Sequence, residues 1–264
     1  QNAIRTGKSY EIELDVLPAN GNKRYTVARG EALYGPDGKI EKLSGTLQDI
    51  TYRKQAEIIK QSQYNIALAT ITTRNFNDLI DIIRKELDKI FDAKNFFIAL
   101  YNQETGMLYS PLFTDEKDDI REWPAEKSLT GYLIKQDRPL LLQKSEILRL
   151  HEEGLIEIMG PLAEAWMGVP LKVNENMLGA VVFQNYYNAN VYDQSSLEVL
   201  ELIAHELSLF IDRQNAEDKA HKLTKAVEQS SVAAIITNRQ GRIEYANPFF
   251  TQLTGYSVEE VRGQ

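Results

Sequence analysis

The sequence predicts an α+β chain in which an antiparallel sheet is layered with helices. Three observations carry this. Ala165–Tyr186, AWMGVPLKVNENMLGAVVFQNY, is two apolar strand-like runs joined by the polar turn Asn174-Glu175-Asn176. A hairpin this apolar must be covered on both faces and belongs inside a sheet. Phe76–Phe91 and Leu197–Ile211 repeat apolar residues at three- and four-residue steps, the period of helices with one buried side. Tyr10–Asp49 alternates with period two between turn clusters.

The 264 residues suffice for one large domain or two small ones, and the net charge is −8. With no basic stripe to neutralise phosphates, nucleic-acid binding is not expected. No window approaches the roughly 18 apolar residues of a membrane span, and nothing at the start reads as a signal peptide. The first residue is Gln1, so an excised fragment is expected, with a cytoplasmic location. Cysteine is absent. This excludes a thiolate zinc site, a disulfide and a thiol nucleophile within the chain.

From the start, Tyr10–Val16 is a strand, Asn20-Gly21-Asn22 a hairpin turn and Tyr25–Tyr34 a second strand. Gly35-Pro36-Asp37-Gly38 turns the chain into a third strand, Ile40–Asp49. Three such strands cannot easily stand alone. From Thr51 the pattern is helical, with a weak stripe of Ala56, Ile59, Gln63 and Ile66. After Asn75, Phe76, Leu79, Ile80, Ile83, Leu87, Ile90 and Phe91 line the apolar face of a stronger helix.

Asn95–Phe113 reads as a hairpin with Gln103–Gly106 as its loop. Pairing Asn102 with Met107 sorts Phe96, Ile98, Leu100, Tyr109 and Phe113 onto a face suited to helices. Phe97, Ala99, Tyr101, Ser110 and Leu112 fall on the other, whose mixture suits a small-molecule pocket wall or an ordinary core with a satisfied serine. Thr114–Lys127 is acidic and carries Trp123-Pro124; it suits either a solvated loop or a lid over a ligand. Ser128 caps a short helix, Pro139–Leu142 is a short strand, and residues 145–159 are expected to be helical.

A three-residue turn at 174–176 pairs Val173 with Met177 and therefore Trp166 with Gln184. If buried, Gln184 needs a hydrogen-bond partner, which is either a neighbouring backbone group or a ligand beside the Trp166 ring. The expected pocket is therefore Phe97, Tyr101, Ser110, Leu112, Trp123, Trp166 and Gln184. Asp193 caps a long helix, and past Arg213 its apolar residues thin to Ala216, Ala220, Leu223 and Val227. That spacing is a coiled-coil seam or a solvated linker. Beyond it, Val232–Thr237 and Arg242–Tyr245 are strands around Asn238–Gly241.

Trp166–Leu171 followed by Leu178-Gly179-Ala180-Val181 resembles the late strands of a GAF sensory domain, as does the earlier order of a Gly-containing helix and then Arg138-Pro139-Leu140-Leu141. Gly45-Thr46-Leu47-Gln48-Asp49-Ile50-Thr51 resembles the exit of a PAS domain. Ala246-Asn247-Pro248-Phe249-Phe250 through Leu253-Thr254-Gly255-Tyr256-Ser257 resembles the opening of another. The resemblance implies the C-terminal part of a PAS domain at 1–51, a helical linker at 52–63 and a GAF domain at 64–213. A coiled-coil linker at 214–228 and the N-terminal part of a second PAS domain at 229–264 follow. A GAF-type sulfoxide reductase, a thioether-linked bilin and a flavin–cysteinyl adduct all require a cysteine that this chain lacks.

Phosphoryl chemistry is not legible either. His205-Glu206-Leu207 resembles a phosphoacceptor box but continues as Ser208-Leu209-Phe210 in an apolar helix, and no second His makes a zincin pair. No phosphate-binding glycine loop occurs, and the residue cluster of cyclic-nucleotide-binding GAF domains is not evident. Arrays of this order resemble the input half of bacterial or archaeal sensor histidine kinases of two-component phosphorelays. The implied function is non-enzymatic: a small molecule binds the GAF domain, linker helices in a homodimer relay the change, and a kinase lies further along the parent chain. A ligand-free dimerisation spacer, or the input of a cyclic-dinucleotide cyclase or phosphodiesterase, remains open.

Overall fold

The computed structural model describes residues 5–19, 23–73 and 75–264. Strands β1 (Tyr10–Val16), β2 (Arg24–Tyr34) and β3 (Ile40–Asp49) form an antiparallel sheet with β2 in the middle. The Asn20-Gly21-Asn22 turn lies outside the described residues. Gly38 closes the second turn at φ 75°, its N–H donating to the Gly35 carbonyl. The sheet is thinly covered: Val27 and Ile50 are buried, whereas Ile12, Leu14, Leu43 and Leu47 are exposed.

Helix α1 (Thr51–Thr72) follows directly and is continuous over 22 residues. The boundary expected at residue 64 thus falls inside one helix. Its buried residues are Ser62, Ile66, Ala69 and Thr70, so the second half packs with the domain that follows. The expected stripe missed Ser62 because that contact is polar: its hydroxyl donates to Glu86 Oε2 at 2.9 Å. Helix α2 (Phe76–Leu87) is capped by the Asn75 side chain, which accepts the Asn77 N–H. Leu79, Ile80, Ile83 and Leu87 are almost wholly inaccessible. Burial of each contributes about 1.5–3 kcal/mol. The helix stops at Leu87, and Phe91 reaches the core from the turn beyond, edge-on to Phe183 with ring centroids 5.3 Å apart.

Strands β4 (Asn95–Asn102), β5 (Met107–Thr114), β6 (Glu122–Pro124), β7 (Leu140–Gln143), β8 (Ala165–Val173) and β9 (Asn176–Asn185) form an antiparallel sheet in the order β6-β5-β4-β9-β8-β7. One face is covered by α1, α2 and the first half of α5 (Gln194–Glu228). The other carries α3 (Leu129–Gln136), α4 (Lys144–Glu152) and the irregular chain after α4. This sandwich is the three-layer α+β arrangement that the periodicities predict.

Two registers place the site. The expected pairing of Asn102 with Met107 holds as far as Leu100–Tyr109, then shifts, so that Ile98 faces Leu112 and Phe97 faces Phe113. The extra residue in β5 falls at Ser110-Pro111, where proline cannot donate to the ladder and a bulge is the usual outcome. Because side chains alternate with period two, the shift exchanges Leu112 and Phe113 between faces. At the β8–β9 turn the loop is two residues, with Asn174 at φ 53° and Val173 opposite Asn176. A second shift between Leu171 and Lys172 restores the expected Trp166–Gln184 pair.

Two further differences matter. Residues 145–159 are not one helix: α4 ends at Glu152 and Gly154 turns the chain at φ 69°. Trp123-Pro124 is not in a free loop but in β6, where an edge strand tolerates proline. Beyond Arg213, α5 extends with its side chains largely exposed. It leads to the two-stranded sheet β10 (Ile235–Thr237) and β11 (Ile243–Ala246), then α6 (Pro248–Thr254) and α7 (Val258–Val261). Asn247, wholly buried, caps α6 by accepting the Phe250 N–H and donates to the carbonyls of Val227 and Val232.

Candidate functional site

On the sheet face opposite α2 and α5 lies a cavity of about 90 Å3. Its floor is the sheet: Phe97 from β4, Phe113 from β5, Trp123 from β6, Trp166 from β8 and Gln184 from β9. Its roof is Ile147 of α4, the start of α3, and the irregular chain from Ile156 to Ala163. Phe97 stacks on Phe113 at 5.2 Å and meets Trp123 edge-on at 5.7 Å. Gly168 makes room for the Trp166 indole, since a Cβ there would come within 2.5 Å of that ring.

Of the seven residues expected to form a pocket, Phe97, Trp123, Trp166 and Gln184 line this cavity. Tyr101 packs in the apolar cluster on the same face but does not line it. Ser110 is buried and donates its hydroxyl to the Leu112 carbonyl. Leu112 faces the helices instead, packed against the other core, because the β5 bulge reverses its side. Phe113 takes that place. The roof residues Ile156–Met159 fall within 145–159, which the sequence predicts as helix, while Pro161–Ala163 lie beyond it; Gly154 and Gly160-Pro161 are the helix-breaking signal that marks this segment as loop.

The polar groups are few. Gln184, 7% exposed, donates through Nε2 to Asp115 Oδ2 at 2.5 Å and to the Tyr186 hydroxyl at 2.7 Å. Tyr186 in turn donates to Asp115 Oδ1 at 2.8 Å, and the backbone N–H groups of Lys117 and Asp118 donate to the same oxygen. A carboxylate only accepts, so the Gln184 NH2 must face Asp115 and its Oε1 must point elsewhere. That oxygen takes no hydrogen bond among the described residues, and since no inaccessible side-chain polar atom there lacks a partner, it is open to water-sized space. Burial, followed by the Asp115 hydrogen bond and charge, pushes the Tyr186 phenol well above its usual range, so it remains a neutral donor.

Thr130, in the first turn of α3, also lines the cavity and is 4% exposed. Its hydroxyl bonds no protein group among the described residues and so, like Gln184 Oε1, is reached from the cavity. The neighbouring Ser128 is fully engaged: it accepts the Gly131 N–H as helix cap and donates to the Ala125 carbonyl. Among the described residues, the charged ones lining the cavity are Asp118 and Glu157, both reaching solvent, and no Lys, Arg or His lines it. Among the described residues no group of three or more His, Asp or Glu is placed to hold a metal. No helix of the described residues is long and apolar enough to cross a membrane.

The sheet sandwiched by helices, with an aromatic cavity on one face, is an α+β domain that comparison with known proteins identifies. The family model of the GAF domain matches residues 73–212, and the chain belongs to that family. A PAS domain model matches residues 221–264. No curated protein matches the chain in sequence. Among solved structures, the GAF domain of a phosphoenolpyruvate-protein phosphotransferase from Coxiella burnetii is 12% identical with a TM-score of 0.51, covering 63% of this chain and 98% of that one. The free methionine-R-sulfoxide reductase from Neisseria meningitidis, solved with its substrate, is 12% identical with a TM-score of 0.50, covering 62% and 93%. At such identities the likeness is one of fold. GAF and PAS are sensory domains, and together they make this chain a signalling input module.

Proposed function

We propose that this chain is the sensory input of a histidine kinase and binds a small molecule in the cavity beneath α3, α4 and the Ile156–Ala163 segment. The observation that carries this is an aromatic cavity onto which two buried residues bring polar atoms that make no hydrogen bond among the described residues, Gln184 Oε1 and the Thr130 hydroxyl. Such atoms face space that a water or a ligand can enter, and a ligand that supplies the matching donor or acceptor gains a hydrogen bond there of about 0.5–1.5 kcal/mol. No catalytic step is assigned, since the cavity offers neither a nucleophile beside a base nor a metal site. A cyclase or phosphodiesterase output in the parent chain would use the same input.

Residues 1–51 are taken as the closing strands of a preceding PAS domain and α1 as its connection to the GAF domain. Helix α5 runs from the sheet to the second PAS segment, where Asn247 ties its last turn to the new fold. Its exposed residues Ala216, Ala220, Leu223 and Val227 form the seam of a homodimeric coiled coil. A ligand shifts the output only by preferring one arrangement of these helices. The same seam favours a second reading, a ligand-free dimerisation spacer. Native mass spectrometry beside the denatured mass separates them: a dimer carrying extra mass that leaves on denaturation supports the sensor, and a dimer of bare chains supports the spacer.

A further inference from the structure

We infer that the cavity selects a small, flat, uncharged molecule that donates an N–H to Gln184, an inference about ligand class that rests on the sensor proposal above. Size comes first. The cavity is about 90 Å3, and one water needs about 10–15 Å3, so the ligand has roughly nine heavy atoms or fewer. Shape follows from the walls, where the Phe97, Phe113, Trp123 and Trp166 rings favour a planar partner.

Charge is set by what the walls lack. An anion would meet the carboxylates of Asp118 and Glu157 and, among the described lining residues, no Lys, Arg or His to pair with. A cation fares little better. Asp115 is already occupied by Gln184, Tyr186 and two backbone amides. Asp118 accepts the N–H groups of Asp119 and Ile120 and reaches water, and Glu157 is exposed beside Lys127. The positive end of α3 at Thr130 further disfavours a cation. Neutral ligands remain.

Polarity is set by Gln184. Asp115 accepts its amide nitrogen and thereby fixes Oε1 as an acceptor with no protein donor. The complementary group is an N–H of an amide, lactam or urea. Thr130 can donate to the carbonyl such groups carry, or accept a second N–H.

The test uses a series matched in shape: benzamide, acetophenone, benzoate and benzamidine. The chain has two tryptophans, Trp123 and Trp166, and both line the cavity, so intrinsic fluorescence reports on this site. Benzamide at millimolar concentration is expected to change the emission and to bind about tenfold more tightly than acetophenone, which keeps the carbonyl but has no N–H. Benzoate and benzamidine are expected to bind more weakly than benzamide by at least a similar factor. In Gln184→Met, with the fold checked by circular dichroism, benzamide and acetophenone should become equal. Benzoate, benzamidine or acetophenone binding as well as benzamide overturns the ligand class while leaving a ligand-binding cavity. Silence from all four also overturns it, and the native mass measurement then decides separately whether the cavity binds anything.

Discussion

Asp115→Ala removes the carboxylate that holds the site together, and its cost can be worked from four contacts. Two are with buried or half-buried side chains, Gln184 Nε2 at 2.5 Å and the Tyr186 hydroxyl at 2.8 Å. The other two are backbone amides, of Lys117 at 2.8 Å and Asp118 at 2.9 Å, in a loop that water reaches. Hydrogen bonds to a charged acceptor contribute about 1.5–3 kcal/mol each. The loop amides can rebond to water, and Gln184 keeps its bond to Tyr186. The two side-chain bonds taken at the low end give a destabilisation of about 3 kcal/mol. For a domain of this size that lowers Tm by roughly 6–12 °C.

Urea unfolding followed by tryptophan emission is the assay, since both reporters lie on the affected face. The double variant Asp115→Ala/Tyr186→Phe should be less destabilised than the sum of the single changes, by about 1 kcal/mol, because the two residues share one hydrogen bond. The variant should also lose benzamide selectivity, since nothing then prevents the Gln184 amide from turning over. A cost below about 0.5 kcal/mol, the range of ordinary surface substitutions, with strict additivity in the double variant, would refute the claim that Asp115 orients Gln184.

Gly179 sits at φ 151°, where a Cβ would fall on the Ala99 carbonyl of the neighbouring strand. Gly179→Ala should therefore cost more than about 2 kcal/mol, measured by thermal melting; a neutral change would mean that β4 and β9 are not packed this closely. Glu86 supplies a pH prediction. Its burial opposes ionisation, but hydrogen bonds from Lys89, Ser62 and Asn65 outweigh this and hold its carboxyl below the usual value. The stabilisation is full above the ordinary glutamate pKa, where both folded and unfolded chains are ionised, and is lost as pH falls below it toward the folded value. Glu86→Gln should flatten the decline in urea-derived stability between about pH 5 and pH 3, and parallel profiles for the two proteins would rule this out.

The sheet and its helices were legible because burial imposes a period. Leu79, Ile80, Ile83 and Leu87 had to share a helix face, and the apolar hairpin Ala165–Tyr186 had to lie inside a sheet. The Trp166–Gln184 pair also followed from counting back from the turn, though the turn proved two residues long and a compensating shift restored the count. At Gly168 and Gly179 an added Cβ would strike the Trp166 ring and the Ala99 carbonyl, which is the physical reason glycine sits inside such apolar strands.

What the chain order could not supply is the identity of the cavity wall. One extra residue at Ser110-Pro111 sends Leu112 to the helices and Phe113 to the cavity, because alternation along a strand carries any shift to every later side chain. The roof formed by Ile156–Ala163 has no period to read, since an irregular segment is held by contacts distant in sequence rather than by its own backbone pattern. The direction in which Gln184 points is the clearest case. Its amide is turned by Asp115, 69 residues away in the chain, and only the folded sheet brings that carboxylate beside it. Local sequence therefore determined which segments are buried, and tertiary structure alone decided which of their polar groups pair with one another and which open onto the cavity.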